Sequence, residues 1–258
     1  MQDDNAKLRI LERREIMKCV DDELITDQQQ GIAQPPLVKE CYGSKIIPLT
    51  KKFTHVVKNN DFLELLHNRS SKRKYSDQPL SLDELAFLLW TTQGIKEVIG
   101  KKNKATLRMV PSAGARHPFE TYLFVNQVEG LEAGLYHYLP MEHKLEFLHT
   151  IEDQVNQVSE AYCGQTFFGG AAVSFVWTVI PYRSEYRYGL NAQKYALLDA
   201  GHVCQNLYLA SEAIGCGACA IGAYEQSLAD ALLGFESKPS YENEDEFVVY
   251  AASVGKVE

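Results

Sequence analysis

A short basic segment, residues 69–73 (RSSKR), has the composition of an anion-binding site. Arg69 and Arg73 can each present two parallel N–H donors to a phosphate, and the hydroxyls of Ser70 and Ser71 would add further donors. The same composition is typical of a solvated basic turn on a protein surface. The segment therefore indicates either a phosphate site or an exposed turn, and its spacing leaves both interpretations open.

Two further segments combine glycine with other small residues, which lets a flat or anionic ligand approach the backbone closely. Residues 111–114 (PSAG) are one, and a tight turn before a strand is the alternative interpretation. Residues 215–222 (GCGACAIG) are the other, but they follow a helical pattern and lack the G-x-G-x-x-G spacing of a dinucleotide-binding loop. Cys216 and Cys219 form a C-x-x-C there without a second pair at zinc-ligand spacing. We interpret both as small buried residues and predict no metal site.

A long apolar helix is the element that must position these segments. Residues 195–214 carry apolar side chains around nearly the whole helical circumference, which predicts a helix buried on most sides. Asp199, His202 and Glu212 interrupt the run, whereas a membrane span needs about 20 mostly uncharged residues. Gly215 is the type of residue that commonly ends a helix, and the glycine-rich segment after it predicts a strand.

The remaining pattern predicts an α+β fold, because helices and strands are mixed without strict alternation. Ser81 and Glu84 form a capping box that predicts a helix over residues 82–93. The continuous apolar run at 171–180 predicts a central strand buried on both faces. Other strands are predicted over 121–126, 134–140, 144–149 and 247–256, helices over 61–69, 151–162 and 227–235, and polar loops over 96–106 and 181–193.

Charge and composition exclude several classes of partner. The chain has 258 residues, a formal net charge of −8 and a pI near 5.5, which argues against nucleic acid or an anionic membrane as the main partner. The first residues lack the apolar stretch of a signal peptide, so we expect a cytoplasmic protein. Its six scattered cysteines are expected to be reduced thiols.

Four separated blocks of the sequence stand in an order that resembles a known family. The blocks are RSSKRKYSDQPLSLDELAFLLWTTQGI, RMVPSAGARHPFETYLFV with GLYHYLP, KYALLDAGHVCQNLYLASEAIGCGACAIGAY, and the terminal VGK. Together they resemble the nitroreductase superfamily of FMN-dependent oxidoreductases, most closely its SagB-type branch of thiazole- and oxazole-forming dehydrogenases. The resemblance implies a nitroreductase-like fold, with a mixed, mainly antiparallel sheet flanked by helices, in an intertwined homodimer.

The resemblance divides the chain into two parts. Residues 56–258 correspond to an FMN-binding nitroreductase-like domain. Residues 1–55 are left outside the resemblance, and their own pattern predicts an N-terminal arm with one amphipathic helix followed by an extended segment rich in Gln, Gly and Pro. We expect this arm to lie on the main body or on a partner chain.

The resemblance also implies which residues bind FMN. Those that would hold the phosphate and ribityl chain are Arg69, Ser70, Ser71 and Arg73, with Lys256 beside Gly255 closing the phosphate site. Those that would lie along the isoalloxazine ring, from the other subunit, are Pro111, Ser112, Ala113 and Gly114. Those whose backbone amides would lie near the reactive ring edge are Ile221 and Gly222.

The activity that the resemblance implies is electron transfer through the flavin, with the protein supplying position and polarity. We expect a homodimer that passes a hydride between NAD(P)H or an organic substrate and a small acceptor in two half-reactions. One alternative is the oxidation of azolines in a peptide natural product, in which Lys194-Tyr195 would remove a proton; a lysine at a helix start is also typical of a solvated charge. Another is a flavin-binding protein without turnover. His117 stands where related sequences often have a bulky aromatic residue, which leaves the substrate open.

Overall fold

The computed structural model describes residues 25–41, 43, 45–235 and 245–257. The strands are β1 (Ile46–Pro48), β2 (Ile95–Ile99), β3 (Ala105–Arg108), β4 (Phe119–Val125), β5 (Gly134–Leu139), β6 (Lys144–His149), β7 (Val173–Val179), β8 (Cys216–Ile221) and β9 (Phe247–Lys256). The helices are α1 (Asp27–Gln30), α2 (Phe62–Asn68), α3 (Leu82–Gln93), α4 (Gln154–Ala161), α5 (Thr166–Gly169), α6 (Tyr182–Tyr188), α7 (Ala192–Ala213) and α8 (Gln226–Leu232). The amphipathic helix predicted in the N-terminal arm lies outside the described residues.

Seven of the described strands form one antiparallel sheet, in the order β1-β6-β5-β4-β7-β9-β8. Every residue of β4 and of β7 is buried, which confirms the prediction of a central strand covered on both faces. Leu89 of α3 and Leu207 of α7 pack on one face of the sheet, in the same cluster as Trp177. Val158 of α4 and Phe168 of α5 pack on the other face. The α+β fold with a mainly antiparallel sheet between helices is thus confirmed.

The start of α3 has the capping box that the sequence predicts. The Ser81 hydroxyl accepts a hydrogen bond from the Glu84 N–H, and the Glu84 carboxylate accepts one from the Ser81 N–H. These two bonds satisfy backbone donors that a helix start leaves without intrahelical partners, and loss of such a cap costs about 1 kcal/mol. The cap therefore fixes the residue at which α3 begins.

Two segments predicted as loops are regular structure instead. Residues 96–106 contribute to a two-stranded hairpin of β2 and β3, and β2 is exposed along most of its length, so its sequence has no apolar alternation. Residues 181–193 contain α6 and the first residues of α7. The buried face of α6 is polar, with Arg183 and Ser184 beside Tyr186. Patterns of apolar residues could not indicate either element, because polar or exposed side chains form both.

The described part of the N-terminal arm lies on the body of the protein. The Lys39 backbone N–H donates to the Glu120 carboxylate at 2.9 Å, and its ammonium donates to the Tyr122 hydroxyl at 2.9 Å and to the Glu246 carboxylate at 2.7 Å. Further along the arm, β1 pairs with β6 and becomes an edge strand of the sheet. The arm is therefore attached by ion pairs and by strand pairing, while its division from the domain at residue 55 stays a prediction.

Beneath Lys39 lies a buried cluster of charged side chains. Glu120 accepts hydrogen bonds from Arg183 at 2.6 Å and from His137 Nε2 at 2.9 Å, while His137 Nδ1 lies 3.4 Å from Glu146. Burial alone would raise the pKa of Glu120, but the charges of Arg183 and His137 outweigh it and lower that pKa. Burial alone would lower the pKa of His137, but the bonds to Glu120 and Glu146 raise it to about 9. His137 is therefore a buried cation at neutral pH.

This cluster predicts a loss of stability at alkaline pH. The pKa of His137 is raised above its ordinary value of 6.5, so its protonation stabilises the fold fully below that pH and progressively less as the pH rises to about 9. We expect the free energy of unfolding to fall by up to about 3 kcal/mol between pH 6.5 and pH 9, as measured by urea denaturation.

The variant His137→Gln is the control, because its side chain is neutral throughout this range. It should be less stable at neutral pH and should show a flatter dependence on pH. A wild-type protein of constant stability between pH 7 and 9, or a His137→Gln variant with the wild-type slope, would contradict the assignment.

Candidate functional site

The basic segment at residues 69–73 lies along β8, the last strand of the sheet. Ser71 forms an isolated parallel bridge to Ala218, and the Lys72 N–H donates to the Ala218 carbonyl at 2.9 Å. The segment is therefore not a detached surface turn, since its backbone bonds to the exposed edge of the strand. This places the predicted phosphate residues beside the glycine-rich strand.

Two glycines let the segment lie close to β8 and β9. A Cβ atom at Gly217 would lie 2.6 Å from the Lys72 side chain, and one at Gly255 would lie 2.6 Å from the Tyr75 ring. Tyr75 is further held by hydrogen bonds from its hydroxyl to the Lys72 carbonyl and between its hydroxyl and that of Ser253, each 2.7 Å long. Glycine is required at both positions by this close approach.

Lys256 is at the same edge of the sheet but already has an acidic partner. Its carbonyl accepts a hydrogen bond from the Ser76 N–H at 2.9 Å, and its ammonium pairs with the carboxylate of Glu84, the residue that completes the cap of α3. Both side chains of this pair are largely buried. The predicted role of Lys256 in closing a phosphate site would therefore require it to share its charge with Glu84.

The two arginines of the segment lie against aromatic rings. The guanidinium of Arg69 lies 5.3 Å from the centre of the Tyr208 ring, and that of Arg73 lies 5.8 Å from the centre of the Phe167 ring. These contacts orient the guanidinium groups through cation–π attraction. Among the residues that the structure describes, no carboxylate lies at ion-pair distance from either arginine. Both charges are thus available to an anionic ligand.

Tyr208 of α7 joins this segment to β8. Its hydroxyl accepts a hydrogen bond from the Ala220 N–H at 2.8 Å and forms a second one with the Ser71 hydroxyl at 2.9 Å. The strand β8 ends at Ile221, which is buried. Gly222 follows it and is exposed, and an added Cβ there would meet no atom within 4 Å. Tyr208 could not be recognised as a site residue from the sequence, because a tyrosine within an apolar helix is typical of the core.

The second small-residue segment lies against the other half of α7. The Ala113 N–H is 3.2 Å from both carboxylate oxygens of Asp199. Burial raises the pKa of Asp199, although hydrogen bonds from Ser112 and Ala113 oppose that shift. Gly114 has a φ of 56°, and a Cβ there would clash with the hydroxyl of Tyr188. Asp199 and Tyr188 were also missed, since the sequence marks Asp199 only as an interruption of an apolar run.

The predicted proton-transfer pair Lys194-Tyr195 lies in the first turn of α7, near this second segment. The rings of Tyr195 and Tyr188 meet edge to face, with their centres 4.8 Å apart. Both Lys194 and Tyr195 are half-buried. Tyr188 also lies against Gly114, so the structure places Tyr195 near the residues 111–114.

The predicted site residues therefore form two groups on one helix. Asp199 holds residues 112 and 113, and Tyr208 contacts residues 69 and 71. The nine positions between Asp199 and Tyr208 correspond to about 14 Å along a helix axis. Within one chain, the first group lies at the β8 edge of the sheet and comprises residues 69–73, 221 and 256. The second group lies at the N-terminal half of α7 and comprises residues 111–114, 194 and 195.

The cysteines of the glycine-rich strand have the packing role that the sequence predicts. Cys216 and Cys219 are free and buried. Burial raises the pKa of Cys216 to about 11, and burial also raises that of Cys219, so neither is a thiolate at neutral pH. No cluster of three metal-ligating side chains occurs within the described ranges. Helices there are also too short or too polar to cross a membrane.

Comparison with known proteins identifies the family. Residues 66–256 match the nitroreductase family over most of the chain. The chain belongs to the nitroreductase family. Proteins of this family are oxidoreductases and generally bind flavin, and the chain is accordingly an oxidoreductase. The alternative of a flavin-binding protein without turnover therefore has no support from the family.

Three curated relatives show how far this likeness extends. A nitroreductase-like protein of Methanocaldococcus jannaschii is 30% identical over 177 residues, which cover 68% of this chain and 85% of the relative. The trifolitoxin-processing protein of Rhizobium leguminosarum is 29% identical over 49% of this chain and 35% of its own length. The microcin B17-processing protein of Escherichia coli is 30% identical over 42% of this chain and 41% of its own. The matches to the two processing proteins thus span less than half of each.

A solved structure supports the fold over almost the whole described chain. A nitroreductase-family protein of Ralstonia eutropha superposes with a TM-score of 0.65 and 21% identity. The match covers 88% of this chain and 97% of the other one. The nitroreductase fold thus extends beyond the residues that match the family in sequence. This confirms the predicted resemblance and its fold.

The contacts of Tyr208 predict a specific loss on removal of its hydroxyl. Tyr208→Phe would leave the partly buried Ala220 N–H without its partner, so we expect the free energy of unfolding to fall by about 1 kcal/mol. Amide hydrogen exchange in β8 should accelerate as well. Urea denaturation and exchange mass spectrometry measure the two effects.

Tyr136→Phe is a matched control, because the Tyr136 hydroxyl donates to the Glu132 carbonyl at 2.8 Å on the far side of the sheet. It removes the same atom and one comparable bond, but it should leave exchange in β8 unchanged. Equal exchange rates in β8 for the two variants would show that Tyr208 does not hold that strand.

Proposed function

We propose that this protein is an FMN-dependent oxidoreductase that passes a hydride between NAD(P)H, or an organic substrate, and a small acceptor. The observation that carries the proposal is the arrangement of Arg69 and Arg73 beside β8. Two guanidinium groups there have no acidic partner among the described residues and lie near β8, which is followed by the exposed Gly222. In a family that generally binds flavin, this arrangement fits a phosphate followed by a planar ring.

The residues present fit the parts of FMN. Arg69 and Arg73 would hold the phosphate through paired N–H donors, and the Ser70 and Ser71 hydroxyls would add bonds to the phosphate or ribityl chain. Tyr208 fixes the orientation of the Ser71 hydroxyl. Lys256 and Gly255 would border the phosphate. The ion pair with Glu84 would weaken the attraction of Lys256 to the phosphate. Ile221 and Gly222 would present backbone groups to the ring edge.

The flavin supplies the redox chemistry, and the chain supplies position and polarity. The buried N–H and C=O groups of β8 are fixed by β9 on one side and by Tyr208 and Lys72 on the other. A strand held on both sides would fix the Gly222 backbone that follows it, so that this group could meet the ligand without reorganisation during the reaction. The rigid strand end is thus suited to orient a hydride acceptor.

We further propose that the active protein is a homodimer. Leu197 and Leu198 of α7 are 62% and 52% exposed, and Phe62 and Leu63 of α2 are 61% and 77% exposed, in helices that contact each other. Large apolar side chains exposed on both helices indicate an interaction surface. A second copy that covers them could bring its residues 111–114 to the ring bound at residues 69–73 and 221–222 of the first.

The proposal is tested by the absorbance spectrum of the purified protein. We expect a flavin spectrum as purified or after reconstitution with FMN, and bleaching of that spectrum in an anaerobic titration with NADH or NADPH. Comparison of the two nucleotides assigns the donor. A colourless protein that takes up no FMN would refute the proposal.

Loss of either arginine should weaken FMN binding. We expect Arg69→Ala and Arg73→Ala each to raise the dissociation constant for FMN by about 10- to 100-fold, because each removes a charge-assisted contact to the phosphate. Fluorescence quenching of FMN measures the constant. Lys74→Ala is the matched control, since it removes an exposed positive charge from the same segment. If all three variants bind FMN alike, the arginines do not hold the phosphate.

A second candidate function is the oxidation of azolines in a modified peptide. It is favoured by the likeness to the microcin B17- and trifolitoxin-processing proteins and by the position of Lys194-Tyr195 beside the residues 111–114. Lys194 would remove the proton from the ring carbon while the hydride leaves to the flavin. Oxygen would then accept the electrons.

Lys194→Ala distinguishes the two functions. A general base contributes about 10²- to 10⁴-fold, so azoline oxidation should fall by that factor while bound FMN is retained. Reduction by NAD(P)H needs no such base and should keep its wild-type rate. Gln193→Ala is the control, because its exposed side chain lies next to Lys194 in the first turn of α7. Wild-type azoline oxidation in Lys194→Ala would exclude the proposed role for Lys194.

A further inference from the structure

The segment 112–117 has a backbone conformation that requires support. Gly114, Ala115 and His117 have φ values of 56°, 53° and 45°. Glycine adopts such values freely, whereas Ala115 and His117 do so at an energetic cost that the surrounding structure must offset. Non-glycine residues in this conformation persist where other contacts determine them. The segment therefore depends on contacts that hold it in this conformation.

The Arg116 guanidinium donates to the Arg183 carbonyl and Arg187 donates to the Gly114 carbonyl, while the contacts at the start of the segment lead to a single side chain. The carboxylate of Asp199 accepts the Ala113 N–H, with both oxygens 3.2 Å away, and also accepts a hydrogen bond from the Ser112 hydroxyl. The Ser112 oxygen in turn accepts the His117 N–H at 2.9 Å. The start of the segment is thus bonded directly to Asp199, and its end is bonded through Ser112.

Aspartate is an unfavourable residue type at position 199. It lies in the middle of α7, where aspartate is a poor helix former, and it is buried. A buried carboxylate loses its hydration and is tolerated when other groups donate hydrogen bonds to it. The donors recorded for Asp199 come from Ser112 and Ala113. The segment therefore supplies hydrogen-bond donors to the buried carboxylate, and the carboxylate supplies the acceptor that these donors need.

We propose that Asp199 is a positioning residue that holds residues 112–117 in the conformation needed to lie along the flavin ring. This inference rests on the proposed function, in which the segment contacts FMN. The Asp199 carboxylate would act through the segment and not through contact with the flavin. It acts through the Ala113 N–H and the Ser112 hydroxyl, and it couples the rigid helix α7 to a segment that has little regular structure of its own.

The test compares variants in two measurements. Asp199→Ala removes both acceptors, Asp199→Asn keeps one acceptor oxygen, and Ser112→Ala removes the link to His117. Amide hydrogen exchange of a peptide spanning residues 109–119 is measured without FMN, so that it does not depend on the proposed function. The dissociation constant and visible absorbance spectrum of FMN are measured on the same proteins after reconstitution.

Two controls separate this role from a general loss of stability. Gln205→Ala changes an exposed side chain on the same helix, nearly two turns beyond Asp199. Ser81→Ala destabilises the fold at the start of α3, through loss of its cap. The hydrogen bonds of Ser81 lie within the cap of α3 and do not involve residues 112–117.

We expect Asp199→Ala to accelerate exchange in the 109–119 peptide by at least about tenfold, as for the loss of charged hydrogen bonds, and Asp199→Asn to accelerate it less. We also expect a shifted flavin spectrum and FMN binding weakened by about tenfold, with partial recovery in Asp199→Asn. Ser112→Ala should accelerate exchange at the end of the segment, and it provides the test if Asp199→Ala does not fold.

Two results would overturn the inference. One is an exchange rate in the 109–119 peptide that rises no more in Asp199→Ala and Ser112→Ala than in Ser81→Ala. The other is a wild-type flavin spectrum and dissociation constant in variants whose segment is loosened. A wild-type protein that binds no FMN would instead remove the proposed function, and with it the flavin part of the inference, while the exchange data would still decide whether Asp199 holds the segment.

Discussion

The hydrogen bonds that α7 makes through two polar side chains are the constraint on which the candidate site depends. Asp199 bonds to residues 112 and 113, and Tyr208 bonds to Ser71 and to β8. Both lie on one helix, whose buried apolar face packs against the sheet, so the distance between them is fixed by the helix and its position by the core. Two segments that are far apart in sequence are thereby fixed relative to one another by one rigid element.

The position of the basic segment follows from the need to cover an edge strand. An exposed edge presents unpaired backbone groups, which proteins commonly cover. On β8, the Ala218 carbonyl accepts the Lys72 N–H and the Ala220 N–H donates to Tyr208. The Lys72 N–H and the Tyr208 hydroxyl, which cover this edge, lie next to the candidate ligand residues. The contacts that cover the strand therefore also position the candidate site.

Much of the fold could be predicted, because local rules govern the elements that build it. The capping box at Ser81 and Glu84 and the uninterrupted apolar run of β7 each specify their structure through nearby residues. The hairpin of β2 and β3 and the helix α6 could not be predicted in this way. The buried face of α6 is formed by polar residues such as Arg183, whose partner Glu120 lies on a distant strand.

The same distinction applies to the candidate site. Arginine, serine and glycine segments are visible as sequence patterns, and the resemblance assigns them roles. Asp199 and Tyr208 carry no such pattern, because their importance comes from which backbone groups the fold brings opposite them. The pair of Lys256 with Glu84 was equally hidden, since it joins the end of the chain to the start of α3.

The separation of the two groups along α7 has a consequence for how an active site would be assembled. Tyr188 lies against both Tyr195 and Gly114, so residues 111–114 lie near the start of α7, which also carries Lys194. In the proposed dimer, one subunit would supply the phosphate contacts and the strand end, and the other would supply the segment along the ring together with the candidate base. Each site would then be complete only when the apolar faces of α2 and α7 are covered by a second copy. Association and catalysis would depend on the same helix.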